Sequence, residues 1–258
     1  MTDHVALAVE GPIATLTLRR PDKLNALTVA MLDALADAAE RIEQLPEVRA
    51  VVLTAEGTKA FCVGADIEAW AALPPLDMWR RWTRHGHQVF TRLAQLRVPV
   101  VAALNGHAIG GGLELAATAD LRISEAHARL GLPEAGIATA PGWSGTQRLV
   151  RRAGPQAVRR LALVGDLIDA ETALAWGLVD QVVETGTGLA RALAVAERIA
   201  RQAPVSVQVV KQMINVAEGE ATLDTLEQFA GALTAFTEDA AEGLVGFRNK
   251  QPPEFKGR

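Results

Sequence analysis

The sequence is poor in the residues that build disulfides and metal sites. It has one cysteine and five scattered histidines among 258 residues. A single cysteine excludes an intramolecular disulfide, and this set of side chains is too small for a structural zinc site. Disulfide-stabilised, redox and thiolate-metal proteins are therefore disfavoured, and we expect no metal centre.

Long apolar runs and long basic runs are also missing. No run approaches the roughly 18 apolar residues of a membrane helix, and residues 1–10 lack the basic and apolar segments of a signal peptide. The net charge is −4, with 26 basic and 30 acidic residues, whereas phosphate binding draws on clustered Lys and Arg. We therefore expect a cytoplasmic protein with neither a membrane nor a nucleic acid as partner.

The composition is that of an ordinary folded protein, with 49% hydrophobic and 22% charged residues. A chain of this length buries most of its apolar surface in one or two compact domains. Disorder and fibrous repeats are therefore disfavoured.

The first half of the chain alternates between strand and helix patterns. Residues 5–19 alternate around a Gly-Pro turn, which predicts two strands. Residues 28–42 form an amphipathic pattern with Thr28 as its cap, and helical sequence also covers 78–96. The β-branched runs at 50–54 and 98–104 are typical of strands buried on both faces. This order predicts an α/β fold with a mainly parallel sheet.

The pattern changes beyond about residue 170. Apart from a β-branched patch at 179–183, three helices are predicted, over 189–202, 204–218 and 222–241. We therefore predict an α/β core over 1–190 and a helical region over 191–258. That region is apolar enough on one face to require burial against its own core or a neighbouring subunit.

The densest glycine cluster, over 105–115, follows a predicted strand and opens a helix. Such a turn exposes backbone N–H groups that suit an anion, either a phosphate or a developing oxyanion. Phosphate-loop and dinucleotide spacings are absent, and Glu114 would repel a phosphate. An oxyanion site with Glu114 as a proton-transfer group is the better interpretation, with structural packing as the alternative.

Three further segments could complete such a site. Residues 59–67 offer a second glycine turn, residues 130–136 contain Glu134 directly after a proline, and residues 140–148 enter a helix through glycines. The motif at 142–145 is one residue too short for a nucleophile elbow, so a serine hydrolase is disfavoured.

Five segments, in this order and spacing, resemble the crotonase superfamily and most closely its enoyl-CoA hydratases. Residues 242–250 and 253–256 also resemble the closing segment of that family, so the resemblance covers nearly the whole chain. The five segments are RPDKLNAL at 20–27, AFCVGADI at 60–67, NGHAIGGGLEL at 105–115, LPE at 132–134 and PGWSGTQR at 141–148.

The resemblance implies a spiral of ββα units followed by C-terminal trimerisation helices. It implies an acyl-CoA substrate, with coenzyme A as part of that substrate and no prosthetic group. Backbone N–H groups of Ala65 and Gly111 would polarise the thioester carbonyl. Glu114 would act as base and Glu134 as acid in adding water across the 2,3 double bond.

Other functions within and outside this chemistry remain open. A Δ3-Δ2 enoyl-CoA isomerase or another crotonase-family dehydratase would use different polar groups, so retention of both glutamates favours the hydratase. A catalytically silent module that binds a CoA thioester or RNA is the alternative from another class. The resemblance also implies a homotrimer or a dimer of trimers.

Binding residues for the rest of the substrate are expected from the same resemblance. The acyl wall would include large rings that shorten the pocket, although core packing explains these rings equally well. The coenzyme A residues would be Lys23, Ala26, Lys59, Ala60, Phe61, Asp66, Ile67, Phe247 and Lys250, and the acyl residues Trp70, Trp82, Pro141 and Trp143.

Overall fold

The computed structural model of the chain describes residues 3–258. These form two compact units, one that ends at Lys211 and one that runs from Gln212 to Arg258. The predicted division between residues 190 and 191 follows the onset of helical sequence rather than chain contacts, and it stays a prediction.

Ten strands occur in the described part of the first unit, and they form a six-stranded and a four-stranded sheet. The strands are β1 Val5–Glu10, β2 Ile13–Leu18, β3 Ala50–Ala55, β4 Ala60–Cys62, β5 Val100–Leu104, β6 His107–Ile109, β7 Leu121–Glu125, β8 Arg129–Gly131, β9 Ile168–Asp169 and β10 Gln181–Val183.

Helices cover the sheets in the first unit, and the second unit is mostly helical. They are α1 Val29–Glu43, α2 Ile67–Ala71, α3 Pro75–Asp77, α4 His85–Ala94, α5 Gly111–Ala116, α6 Gly145–Arg159, α7 Ala170–Ala175, α8 Gly188–Ala200, α9 Pro204–Ala217, α10 Thr222–Ala235 and α11 Glu238–Asn249. Shorter helical turns lie at Pro21–Lys23, Met78–Arg84, Glu134–Ile137 and Arg160–Val164.

The larger sheet has the order β1-β2-β3-β5-β7-β10. Only β1 and β2 pair antiparallel, and the other neighbours are parallel. Successive residues of β3 face opposite cores, since Val51 and Leu53 belong to the main hydrophobic cluster and Val52 to a second cluster beneath α8. Burial on both faces explains the β-branched runs, and the predicted α/β fold with a mainly parallel sheet is confirmed.

Helix α1 forms where the apolar spacing predicts it. Its inward face buries Leu32, Leu35 and Ile42. The Thr28 side chain accepts a hydrogen bond from the Met31 N–H at 3.3 Å and caps the first turn. The predicted cap and the predicted helix are both confirmed.

The smaller sheet, of order β4-β6-β8-β9, is absent from the sequence prediction. Its strands have two or three residues, too few to show an alternating pattern. Strands β4, β6 and β8 are parallel neighbours. Because they run the same way, the three loops that follow them begin at one edge of the sheet.

The helical character of the chain beyond β10 is confirmed, with one difference. The sequence predicts a single helix over 222–241, whereas α10 ends at Ala235 and α11 starts at Glu238. Thr237 accepts a hydrogen bond from the Ala240 N–H at 3.0 Å, which caps a new helix. This capping threonine was the signal for the break.

Within residues 3–258, no helix has both the length and the apolar character that a membrane span requires.

Candidate active site

The loops after β4 and β6 touch through glycine backbones. Gly64 has φ +89°, and a Cβ atom on it would lie 3.0 Å from the Gly111 nitrogen. Only a residue without a side chain permits this approach. The contact brings Ala65, the next residue, beside the start of α5.

A backbone bridge orients the Ala65 amide. The Leu27 N–H donates to the Gly64 carbonyl at 2.7 Å, and the Asp66 N–H donates to the Leu27 carbonyl at 2.8 Å. In such a parallel bridge the residue between the two bonds turns its own N–H away from the partner strand. The Ala65 N–H donates to no group among the described residues.

An ion pair fixes the far side of this loop. Asp66 lies 2.6 Å from the Arg20 guanidinium, and both side chains are largely buried. The Asp66 carboxylate also accepts the Ala69 N–H at 3.1 Å and caps α2. The Ala69 N–H and then Arg20 lower the pKa of Asp66, so this carboxylate stays ionised and keeps the loop in place.

Gly111 is the first residue of α5, so its N–H has no acceptor within the helix. Gly110 precedes it with φ +57°. A Cβ on Gly112 would lie 1.9 Å from the Cys62 carbonyl oxygen, so α5 packs directly on β4. The Gly111 N–H donates to none of residues 3–258.

Glu114 projects from the first turn of α5 into a ring of backbone donors. Its Oε1 accepts the N–H groups of Trp143 and Gly145, each at 2.9 Å, and its Oε2 accepts the Gly142 N–H at 3.4 Å. Burial raises the pKa of Glu114, while these three donors and Arg148 oppose the rise. The donors favour the ionised carboxylate.

Glu134 is in the opposite situation. It starts the turn Glu134–Ile137 after β8, and both carboxylate oxygens are buried without a hydrogen-bond partner among the described residues. A Cβ on Gly110 would lie 3.1 Å from Glu134 Oε1, so the carboxyl group lies against the glycine turn. Burial, together with the nearby charge of Glu114, raises the pKa of Glu134 to about 7.

The structure thus brings together four residues that the sequence singles out, namely Ala65, Gly111, Glu114 and Glu134. Two offer unpaired backbone donors and two offer carboxyl groups with contrasting surroundings. Such a set can stabilise negative charge on a substrate oxygen and can move protons beside it. No group of three or more His, Cys, Asp or Glu side chains within residues 3–258 is arranged to hold a metal ion.

The expected coenzyme A residues of the first unit differ in exposure. Lys59 and Ile67 are exposed, and Lys23 is exposed with its ammonium 3.6 Å from Glu68. The other four side chains, those of Ala26, Ala60, Phe61 and Asp66, are buried. In the second unit, Phe247 is exposed and Lys250 ends α11. Their roles stay predictions.

The expected acyl residues divide in the same way. Trp82 and Trp143 are buried, with ring centroids 4.8 Å apart, and Trp143 Nε1 donates to the Trp82 carbonyl at 3.2 Å. Trp70 and Pro141 are half-buried. Both deep indoles thus belong to the hydrophobic core, the alternative that the sequence left open, and their place in an acyl wall stays a prediction.

The sequence reasoning missed the residues that hold these groups in position. Arg20 and Leu27 fix the Ala65 loop, and the backbone of Gly142 and Gly145 surrounds Glu114. A Cβ on Gly145 would lie 2.2 Å from Glu114 Cγ. The close glycine spacing at 142–145 was the available signal, because a buried carboxylate needs several backbone donors nearby.

Cys62 packs rather than reacts. Its side chain is fully buried next to the Gly64 loop, and burial raises the pKa of the thiol to about 12. A thiol of this kind is not a nucleophile at neutral pH.

Comparison with known proteins assigns this chain and its fold to a family. The sequence profile of the enoyl-CoA hydratase/isomerase family matches residues 8–258. The chain is 38% identical to short-chain-enoyl-CoA hydratase of Clostridium acetobutylicum, over 99% of both chains. It is 37% identical to (E)-benzylidenesuccinyl-CoA hydratase of Thauera aromatica, over 98% of this chain and 99% of the relative.

A solved structure has the same fold. The crystal structure of enoyl-CoA hydratase from Bacillus anthracis superposes with a TM-score of 0.82 and 33% identity, over 99% of this chain and 100% of that chain. The protein is therefore a crotonase-fold enzyme of the hydratase (lyase) class. It belongs to the enoyl-CoA hydratase/isomerase family.

We expect Gly145→Ala to destabilise the protein by about 1–3 kcal/mol, because the new methyl group overlaps the Glu114 side chain and forces it from its donors. Gly142→Ala is the matched control in the same loop. Its Cβ would meet only Thr83 Cγ2, at 3.7 Å, and its N–H is retained. Denaturant unfolding of both variants checks this, and equal stabilities would contradict it.

Proposed function

We propose that the protein is an enoyl-CoA hydratase that adds water across the 2,3 double bond of a 2-enoyl-CoA and gives a 3-hydroxyacyl-CoA. The family membership and the hydratase relatives support this reaction. The observation that carries the proposal is the contrast between two neighbouring carboxyl groups. One is surrounded by N–H donors, and the other has no hydrogen-bond partner within residues 3–258.

The Ala65 and Gly111 N–H groups are the proposed oxyanion hole. Addition at C3 moves electron density to the thioester oxygen, which becomes enolate-like. Two donors that need no reorganisation stabilise this charge by about 3 kcal/mol each. The Leu27 bridge and the glycine contact between the loops support this role, since neither amide has an acceptor among the described residues.

The two glutamates are assigned by their surroundings. Glu114 is the proposed base, because its backbone donors favour the ionised form and oppose the rise in pKa that burial causes. Glu134 is the proposed acid, because burial and the like charge of Glu114 raise its pKa to about 7, so that a protonated fraction is present at neutral pH. The two groups titrate as a coupled pair, so that ionisation of one disfavours ionisation of the other. The proton that the pair retains is the one that the reaction delivers to the substrate.

The atoms balance over one hydration. Glu114 takes a proton from a water molecule held between the two carboxyl groups, and the hydroxide oxygen bonds to C3. The π electrons of the double bond pass to the thioester enolate, and C2 then takes a proton from Glu134. Proton exchange returns Glu114 to the ionised form and Glu134 to the protonated form.

The rest of the substrate is proposed to follow the segments that the sequence resemblance names. The exposed Lys23 and Lys59 suit the phosphates of coenzyme A. Phe247 and Lys250 remain proposed binding residues, because they resemble a closing element of the family. Trp70 and Pro141 remain proposed acyl contacts. Coenzyme A takes part as a portion of the substrate.

The alternatives fit this geometry less well. A one-base isomerase has no use for a second carboxyl group kept protonated beside the first. A silent binding module would gain nothing from the buried and unpaired oxygens of Glu134, since such groups cost stability. Two assays separate hydration from isomerisation. A hydratase removes the enone absorbance of crotonyl-CoA, and it does not move the double bond of a 3-enoyl-CoA.

We expect Glu114→Gln and Glu134→Gln each to lower the rate of crotonyl-CoA hydration by about 10²- to 10⁴-fold, the usual contribution of a general acid or base. The measurement is the initial loss of enone absorbance. Glu197→Gln, on the exposed face of α8, is the matched control and should keep the wild-type rate.

Stability separates a catalytic effect from unfolding. Glu134 makes no side-chain hydrogen bond to the described residues, so Glu134→Gln should melt at or above the wild-type temperature. Glu114→Gln turns an amide donor towards backbone donors and should melt lower. Wild-type turnover in either variant contradicts its assigned role.

We expect the hydration rate to fall on the alkaline side with an apparent pKa near 7, because the acid Glu134 must be protonated. Protonation of Glu114 makes the rate fall on the acid side as well. The residual activity of Glu114→Gln should show the alkaline limb at lower pH, because the like charge that raises the pKa of Glu134 is gone. A pH–rate profile of kcat/KM checks both limbs, and an unmoved alkaline limb in this variant argues against the coupling.

We propose that the chain forms a homotrimer or a dimer of trimers through its C-terminal helices. Large apolar side chains on and between these helices are solvent-exposed in the single chain, among them Leu233, Phe236 and Leu244. Sedimentation velocity should give three or six times the chain mass of 27.4 kDa. A monomer at micromolar concentration would rule this out.

A further inference from the structure

We propose that Trp143 is a positioning residue that holds the Gly111 N–H and the Glu114 carboxylate at a set spacing. This inference rests on the proposed function. Trp143 touches both groups, one through its backbone and one through its ring, although its own side chain is buried away from solvent.

The backbone contact reaches Glu114. The Trp143 N–H donates to Oε1 at 2.9 Å, beside the equal bond from Gly145. The direction of the carboxylate is therefore set by the position of the Trp143 backbone.

The ring contact reaches Gly111 from the other side. A Cβ on Gly111 would lie 2.7 Å from Trp143 Cζ3 and 3.1 Å from Cε3, so the benzo edge rests on this glycine. A Cβ on Gly86 would lie 2.2 Å from Trp143 Nε1, on the opposite edge of the indole. The ring is thus a wedge between two glycines, with no space for a methyl group on either.

Neighbouring groups prevent the wedge from turning. The rings of Trp82 and Phe90 each lie 4.8 Å from the Trp143 ring, centroid to centroid, at interplanar angles of 55° and 54°. The indole N–H donates to the Trp82 carbonyl at 3.2 Å. The ring is therefore held in one orientation by packing and by a hydrogen bond.

A second tie holds the same loop to the same helix. Ser144, with φ +67°, places its Oγ 2.9 Å from His87 Nδ1. His87 follows Gly86 in α4, so adjacent residues of this helix hold both the indole and the loop. Helix α4 thereby acts on Glu114 and Gly111 through one rigid connection.

The consequence concerns the transition state rather than substrate affinity. A shift of the indole changes the spacing between the oxyanion donor and the base, both of which act when charge develops. The proposed coenzyme A residues do not include Trp143 or the residues that it contacts at Gly111 and Glu114. We therefore expect changes at Trp143 to lower kcat and to leave KM nearly constant.

The test compares Trp143→Phe and Trp143→Leu with matched changes at Trp176, a half-buried indole that packs on the core and under the Arg160 guanidinium. We expect Trp143→Leu to lower kcat for crotonyl-CoA by about tenfold or more, with KM within about twofold. Trp143→Phe keeps part of the ring and should recover part of kcat. Trp176→Phe and Trp176→Leu should leave both parameters unchanged.

Gly86→Ala tests the wedge from the other side without removing the indole. Its methyl group pushes the ring towards Gly111, so kcat should fall with KM constant. The effect should nearly vanish in Trp143→Leu, where the space is free, and such non-additivity identifies a shared contact. Melting curves and circular dichroism show whether each variant is folded. If Trp143→Leu does not fold, the kcat and KM of Gly86→Ala test the positioning role instead.

The outcomes separate this inference from the proposed function. Failure of the wild-type chain to hydrate any 2-enoyl-CoA overturns both. With an active wild type, unchanged kcat in Trp143→Leu, additive effects of the Gly86 and Trp143 changes, or a raised KM with new activity on longer acyl chains overturns the positioning role alone. The last result would make Trp143 part of the acyl wall.

Discussion

The burial of the Glu114 carboxylate is the constraint on which the site depends. A carboxylate removed from water must be surrounded by donors, and here backbone N–H groups of residues 142–145 provide them. Glu114 occupies the space that a side chain at Gly145 would need. Ser144, the residue before Gly145, has a left-handed backbone conformation. The entry to α6 is therefore shaped around one side chain of α5.

The carboxylate oxygens of Glu134 are also buried, although the residue as a whole is less buried than Glu114. The Glu134 carboxylate accepts no hydrogen bond from another residue in the described part of the chain, and burial raises its pKa to about 7. The ionised form is thus better stabilised in Glu114 than in the neighbouring Glu134, because the backbone groups around the two carboxylates differ. The proposed hydration needs this difference, since one group must take a proton while the other gives one.

Much of the fold follows from local patterns, while the site depends on contacts between distant segments. The β-branched runs of β3 and β5 and the capped amphipathic α1 were predicted, because burial on two faces or on one face leaves a regular spacing. The two- and three-residue strands β4, β6 and β8 leave no such trace. The sequence singled out Ala65, Gly111, Glu114 and Glu134, but not Arg20, Leu27 or Gly86, because their importance arises from packing against residues far along the chain.

The common edge formed by β4, β6 and β8 has a consequence for the effect of substitutions in the loops that follow these strands. The groups proposed to take part in the reaction follow three different short strands. The first oxyanion donor follows β4, the second donor and the base follow β6, and the acid follows β8. A substitution in the loop after β8 would alter the acid without disturbing the two backbone amides. If the proposed roles hold, each contribution to the reaction can be changed by a substitution in one loop while the two sheets are kept.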